Sequence, residues 1–247
     1  KKNNTVPEYN IVLDSSYPAV IAEKAYGSVR TFFTIRLSKG NSITKISSGT
    51  AGNQIPSDSI ATVSCENDAD ASQLIEALNG RAASFVKSNG SNFSIKISRV
   101  KLDVFIQVIG ASAHSSGPQN GVNPVSRILV FLHQNKELFS SNHFLDAAQY
   151  SADNWGLGYY GEKLGIGYKD DFMGPFTNSV TFMELKNGKL NLTVNIRAPK
   201  PKDTSVLKQE IIAKLEEYKK SSKLNFNINV YLGNWMHRNP KGKWLDT

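Results

Sequence analysis

Residues 110–132, GASAHSSGPQNGVNPVSRILVFL, set one histidine, His114, in a polar turn between a strand and a helix. Val104, Ile106 and Val108 alternate along the strand and glycine-rich sequence ends it. Asn123-Pro124 then supplies an N-cap and a proline at the first helical position. His114 thus belongs at a strand exit, where loops on a rigid scaffold carry groups that face ligands. The plainer alternative is a loop histidine hydrogen-bonded to its own turn. Arg197 ends a second alternating run, in which Leu190, Leu192, Val194 and Ile196 face one way and Asn191, Thr193, Asn195 and Arg197 the other. Such a sheet has an apolar face for helices and a polar face free for a ligand. Taken alone, Arg197 is equally an exposed strand-end arginine, Asp14 before Ser15-Ser16 a turn or cap residue, and Asn53 beside Gly52 a left-handed turn residue.

The elements that position these residues read as alternating strands and helices. Phe33, Ile35 and Leu37 mark a strand and residues 60–64 another; Asp70 caps a helix bearing Leu74, Leu78 and Phe85 on one face, and Phe93, Ile95 and Ile97 form the next strand. This first unit has the order β, β, α, β. A second begins with a strand at 102–109 and a helix at 125–138, followed by a less regular stretch through 142–178 rich in glycine and aromatics. The hairpin SVTFMELK-NG-KLNLTVNIR comes next, with Asn187-Gly188 suited to a two-residue type I′ turn. A helix at 204–219 and a strand at 225–232 close the unit in the order β-α-β-β-α-β, the ferredoxin-like arrangement. The expected fold class is α+β: two tandem ferredoxin-like α/β-sandwich subdomains, antiparallel sheets with helices on one face.

The totals narrow the function classes. A chain of 247 residues with 40% hydrophobic and 20% charged content is that of a soluble globular protein with a real core. Its one cysteine, Cys65, excludes an internal disulfide and a cysteine-cluster zinc site. No apolar run approaches a membrane span and the N-terminus has no signal-peptide core. The cytoplasm is the expected compartment, with an extracytoplasmic one left open. Of the net charge of +8, six positive charges fall in residues 199–245, where ten lysines and arginines face four acids. A nucleic-acid binder would combine these with Trp235 and Trp244 as stacking residues. The favoured reading is that Lys208, Lys214, Lys219 and Lys220 coat the solvent face of a helix that buries Leu207, Ile211, Leu215 and Tyr218.

Four segments together resemble one family. They are Leu13-Asp14-Ser15-Ser16-Tyr17-Pro18 followed by Ala22-Glu23-Lys24, then Gly49-Thr50-Ala51-Gly52-Asn53-Gln54-Ile55-Pro56, then residues 110–118, and last Asn195-Ile196-Arg197. Their order resembles that of the zinc-dependent aminoacylase, acetylornithine deacetylase and carnosinase metallopeptidases, with the bacterial single-chain dipeptidases nearest. The resemblance implies that Asp14 binds one zinc of a two-metal site, with Leu13 standing where the family often has proline. It implies that His114 donates a hydrogen bond to the oxyanion formed as water adds to the amide, where charge appears only in the transition state. It implies that Arg197 holds the substrate's free carboxylate through a planar bidentate donor, and that Asn53 contacts substrate near the metals.

A complete member carries a His-x-Asp upstream of the Asp14 motif, a Glu-Glu pair before the lid and a histidine ligand well past it, and none stands at those places in this sequence. His133 reads as a helix residue and His143 as following the helix, each a surface or partly packed side chain, with His237 in the basic exit segment. The expectation is therefore the lid, or substrate-closing, domain of a zinc dipeptidase acting on dipeptides or N-acyl amino acids, joined in cis to the parent's catalytic domain. Such a chain should be inactive alone, should bind no zinc tightly without the parent's two-ion site, and should be monomeric. The alternative is a non-catalytic binding module, either a nucleic-acid binder using the basic C-terminal third or a scaffold that keeps the lid shape without the chemistry. The expected divisions are catalytic-domain sequence and linker at 1–27, a first lid subdomain at 28–99, a second at 100–233, and a return segment at 234–247.

Overall fold

The computed structural model describes residues 22–34, 36, 38–49, 51–186 and 189–237. Its elements in the first half are β1 (Ala22–Glu23), β2 (Ala25–Thr34), β3 (Ser42–Ser48), β4 (Gln54–Ile55), β5 (Asp58–Ser64), α1 (Asp68–Ser88), β6 (Ser94–Val100), β7 (Asp103–Ile109), β8 (Ala113–His114) and α2 (Pro124–Gln134). Then follow α3 (His143–Asn154), β9 (Lys169–Asp170), β10 (Gly174–Pro175), β11 (Thr177–Lys186), β12 (Lys189–Ala198), α4 (Thr204–Ser222), β13 (Phe226–Leu232) and β14 (Met236–His237). The chain is mixed α/β, with four-stranded sheets of order β3-β5-β7-β6 and β11-β12-β2-β13 whose neighbours all run antiparallel.

Period-two alternation builds the first sheet. Ala61 and Val63 on β5 and Val104, Ile106 and Val108 on β7 are fully buried; α1 packs on β6 and β7 with Leu74, Leu78, Ala82 and Phe85 on its buried face, and α2 packs on β5 and β7. Asn67 caps α1 by accepting from the Asp70 amide; Asp70, expected as the cap, lies in the first turn, because the helix already begins at Asp68. Helix α2 stops at Gln134, short of 138, because Asn135 ends it and a separate turn covers 136–138. Residues 124–132 of α2 are all buried, since α2 packs on α3 as well as on β5 and β7.

The second sheet draws its strands from both ends of the chain. The first strand of the expected first unit, here β2, lies between β12 and β13. The stretch expected to be irregular contains α3, capped by Asn142, which accepts from the Phe144 and Leu145 amides. Phe33, Tyr150 and Phe226 join β2, α3 and β13 in the core, with ring centroids 5.1–5.9 Å apart. The Tyr150 hydroxyl accepts from Thr31 Oγ1 at 2.8 Å, and burial pushes its pKa up to about 12. A division between residues 99 and 100 cuts β6, which pairs with β7, and the buried apolar side chains form one continuous cluster through both sheets.

Contacts across the junction also cover part of the polar face expected to be free. Asn195 is buried and its Nδ2 donates to the Gly52 carbonyl at 3.2 Å, as Thr181 Oγ1 does at 2.9 Å. The Met183 amide donates to Ser48 Oγ at 2.9 Å. The hairpin turn at Asn187-Gly188 lies outside the described residues, although its flanks, Lys186 and Lys189, are paired. Leu207, Ile211 and Leu215 of α4 are buried while its lysines stay partly or fully exposed. Trp235 packs against the core and donates Nε1–H to the Lys202 carbonyl at 3.2 Å, so it is not a free stacking ring. Trp244 lies outside the described residues. Among the described residues no helix is long and apolar enough to cross a membrane.

Asn123 is fully buried and works in both directions. Its Oδ1 accepts from the Val125 and Ser126 amides at the start of α2, and its Nδ2 donates to the Val180 carbonyl of β11 at 2.7 Å. Losing the cap costs about 1 kcal/mol and stranding a buried carbonyl about 1–3 kcal/mol more. Asn123→Ala should therefore lower the unfolding free energy by about 2–4 kcal/mol in urea titration. A loss confined to about 1 kcal/mol, with Asn123→Ser, which keeps a capping oxygen, as stable as wild type, would mean that the bond to β11 contributes nothing.

Candidate functional site

His114 owes its position to a turn pinned on both flanks. The Gly110 amide donates to the Ser57 carbonyl at 2.8 Å, and Ala111 and Val122 exchange backbone hydrogen bonds of 2.9 and 3.0 Å. That exchange leaves no room at residue 110, where a Cβ would collide with the Val122 carbonyl oxygen. Beyond it, β8 pairs with β4 so that His114 stands opposite Gln54, and the Ser115 amide donates to the Asn53 carbonyl at 2.9 Å. The Gly117 amide closes the turn onto the His114 carbonyl at 3.0 Å.

The imidazole is exposed and its two nitrogens differ. Nδ1 accepts from the Ser116 amide at 3.2 Å and lies 2.6 Å from Ser116 Oγ. An amide can only donate, so a neutral ring in this turn carries its proton on Nε2. The turn thereby presents an N–H donor outward, the form that an oxyanion or a substrate carbonyl requires.

Arg197 reaches the same place from the second sheet. On β12 it pairs with Tyr26 of β2, and its guanidinium lies over the Tyr26 ring, 5.1 Å from the centroid. His114 and Arg197 line one open cleft of about 490 Å³, whose wall also includes Lys24, Ser116, Phe172 and Met173. Lys24 Nζ donates to the Pro175 carbonyl at 2.6 Å, and burial together with the Arg197 charge holds its pKa below the usual lysine range. A second cleft, of about 340 Å³, is lined by serines with Gln54 and Asp58, and contains neither His114 nor Arg197.

The other sequence candidates fare differently. Asn53 sits beside the His114 turn through its backbone carbonyl, does not have a positive φ, and is not in the wall of the cleft. Asp14 lies outside the described residues. His143 opens α3 and is buried, its Nδ1 accepting from the Arg36 amide at 3.4 Å. His133 is partly exposed 3.9 Å from Asp153, and His237 faces Lys200 and Phe172. Among the described residues no three His, Cys, Asp or Glu side chains gather as metal ligands. The described wall does not by itself fit a zinc ion. Lys24, Phe172 and Met173 had no role in the sequence reading. Lys24 belongs to the Ala22-Glu23-Lys24 segment, whereas Phe172 and Met173 reach the cleft only through the β9–β10 hairpin, which has no sequence pattern.

Known proteins similar to this chain are dipeptidases by name, although no family model matches it. It is 27% identical over 215 residues to the Beta-Ala-Xaa dipeptidase of Lactobacillus delbrueckii subsp. lactis, covering 86% of this chain and 43% of that protein. A Staphylococcus saprophyticus protein whose name carries the same word is 27% identical over 207 residues, covering 78% of this chain and 40% of its own length. The chain thus spans less than half the length of these relatives. Among solved structures, the aminoacylhistidine dipeptidase of Vibrio alginolyticus aligns with 92% of this chain and 47% of its own, at a TM-score of 0.34 and 10% identity. A likeness of that size defines neither fold nor function.

The donor assignment can be read directly. Long-range proton–nitrogen correlation spectra of the chain at about pH 8.5, where histidines are neutral, should show His114 protonated on Nε2. A proton on Nδ1 would mean that the Ser116 amide does not fix the ring and that no outward donor is presented.

Proposed function

We propose that this chain is the substrate-closing part of a zinc-dependent dipeptidase of the aminoacylase, acetylornithine deacetylase and carnosinase family, with dipeptides or N-acyl amino acids as substrates. The observation that carries the reading is the shared cleft: an outward histidine donor and a permanently charged arginine, far apart in sequence, line one cavity. The sequence likeness to proteins named dipeptidases supports the same reading. Both groups belong to one chain, which favours a histidine acting in cis and a monomer. The nucleic-acid alternative is weakened by Trp235, which is packed and hydrogen-bonded.

In this proposal both sheets are ferredoxin-like. Order β13-β2-β12-β11, with α3 and α4 as its helices, follows the β-α-β-β-α-β pattern, and β3-β5-β7-β6 follows it with one strand moved to the front. The first unit is then inserted into the second, between β2 and α3.

Within the site, Arg197 holds the substrate carboxylate with two parallel N–H donors, its guanidinium positioned by the Tyr26 ring. That contact is the same in ground and transition states, so it sets affinity and orientation. His114 Nε2–H donates to the scissile carbonyl oxygen, and its bond strengthens as negative charge develops there. The proposed zinc ions, held by ligands outside the described residues with Asp14 among them, would supply an activated water.

In the full-length protein, His114→Ala should lower kcat by roughly 10²- to 10³-fold with a much smaller change in KM and no loss of metal. Arg197→Lys should narrow the preference for free-acid over amidated dipeptides, because the planar fork is lost. Near-normal kcat in the first variant, or an unchanged acid-to-amide ratio in the second, would remove that residue's role.

A further inference from the structure

Lys24 immediately precedes β2, whose Ala25 and Tyr26 pair with Ala198 and Arg197 of β12. The register therefore delivers two cations from neighbouring strands to one wall of the cleft that holds His114. Lys24 uses one of its three ammonium donors on the Pro175 carbonyl, which leaves two. Among the described residues neither Lys24 nor Arg197 forms an ion pair, and Arg197 Nε is buried without a hydrogen-bond partner. Glu23 also lines the wall but pairs through its backbone with Met236 and makes no salt bridge to either cation among these residues. Two like charges held together in a partly buried wall repel each other, and burial first, with the Arg197 charge second, holds the Lys24 pKa below the usual lysine range. An anion between them converts that repulsion into two attractions.

We infer that Lys24 is a second cationic contact for the substrate carboxylate, shared with Arg197, and that the pair selects free acids over amides. The inference rests on the carboxylate reading of Arg197 and extends it to a residue with no role so far. Arg197 supplies geometry through its fork and Lys24 supplies a point charge with rotatable donors. The ligand class is an N-acyl amino acid or peptide with a free C-terminal carboxylate.

The test compares binding of N-acetylphenylalanine and of its carboxamide by the chain, using calorimetry on wild type, Lys24→Met, Lys24→Arg and Arg197→Met. Lys24→Met should weaken the acid by roughly 10-fold and leave the amide unchanged, with Lys24→Arg restoring most of the loss. Equal weakening of acid and amide would reduce Lys24 to a prop for the β9–β10 hairpin through Pro175, and no change in either would deny it any contact; both outcomes overturn the inference. Loss of acid binding in Arg197→Met alone would overturn the Lys24 role and keep the Arg197 clamp. A wild-type chain that does not favour the acid over the amide would overturn both.

Discussion

The site depends on how the two sheets are joined, and the join turns on one amide side chain. Asn123 caps α2, the helix that follows the His114 turn, and at its other end holds β11, the strand next to the one carrying Arg197. Both bonds are buried, so neither is weakened by competition from water. Gly52 adds a second tie, accepting from Thr181 and Asn195 beside the segment that pairs with β8. With these contacts in place, the strand exit bearing His114 and the strand end bearing Arg197 cannot move independently.

That rigidity suits the electrostatics of the cleft. Lys24 and Arg197 are kept close at some cost in repulsion, with backbone and aromatic contacts as their partners in place of carboxylates. A wall of this kind is organised toward an anion before one arrives, which spares the ligand the ordering of long flexible side chains. His114 follows the same logic: its turn spends Nδ1 on a local amide, and what remains outward is a donor in fixed orientation.

Much of this was legible in the sequence because the signals were local. Asn123-Pro124, the alternation along β7 and β12, and the apolar stripe of α1 each gave the right element. The second unit was assembled from the wrong strands: β2 shares a sheet with β11, β12 and β13, whereas β7 lies in the other sheet with β3, β5 and β6. Sheet membership is decided by long-range pairing between residues far apart in the chain, and alternation reports only that a strand exists. Helix α3 was missed because polar His143, Asp146, Ser151 and Asn154 are buried among Phe144, Ala147, Ala148 and Tyr150, which blurs the apolar stripe in the sequence. His114 and Arg197, which line one cleft, were singled out through the resemblance of their motifs. Lys24 was overlooked because its importance comes from a neighbour that only the β2–β12 register supplies.

The central claim is that His114 and Arg197 belong to one site. Titrating the chain with N-acetylphenylalanine while following the His114 ring and the Arg197 guanidinium by nuclear magnetic resonance tests it most directly. The account predicts that both signals shift along a single saturation curve with one dissociation constant. A response at Arg197 with an unmoved His114, or two curves with different constants, would contradict it.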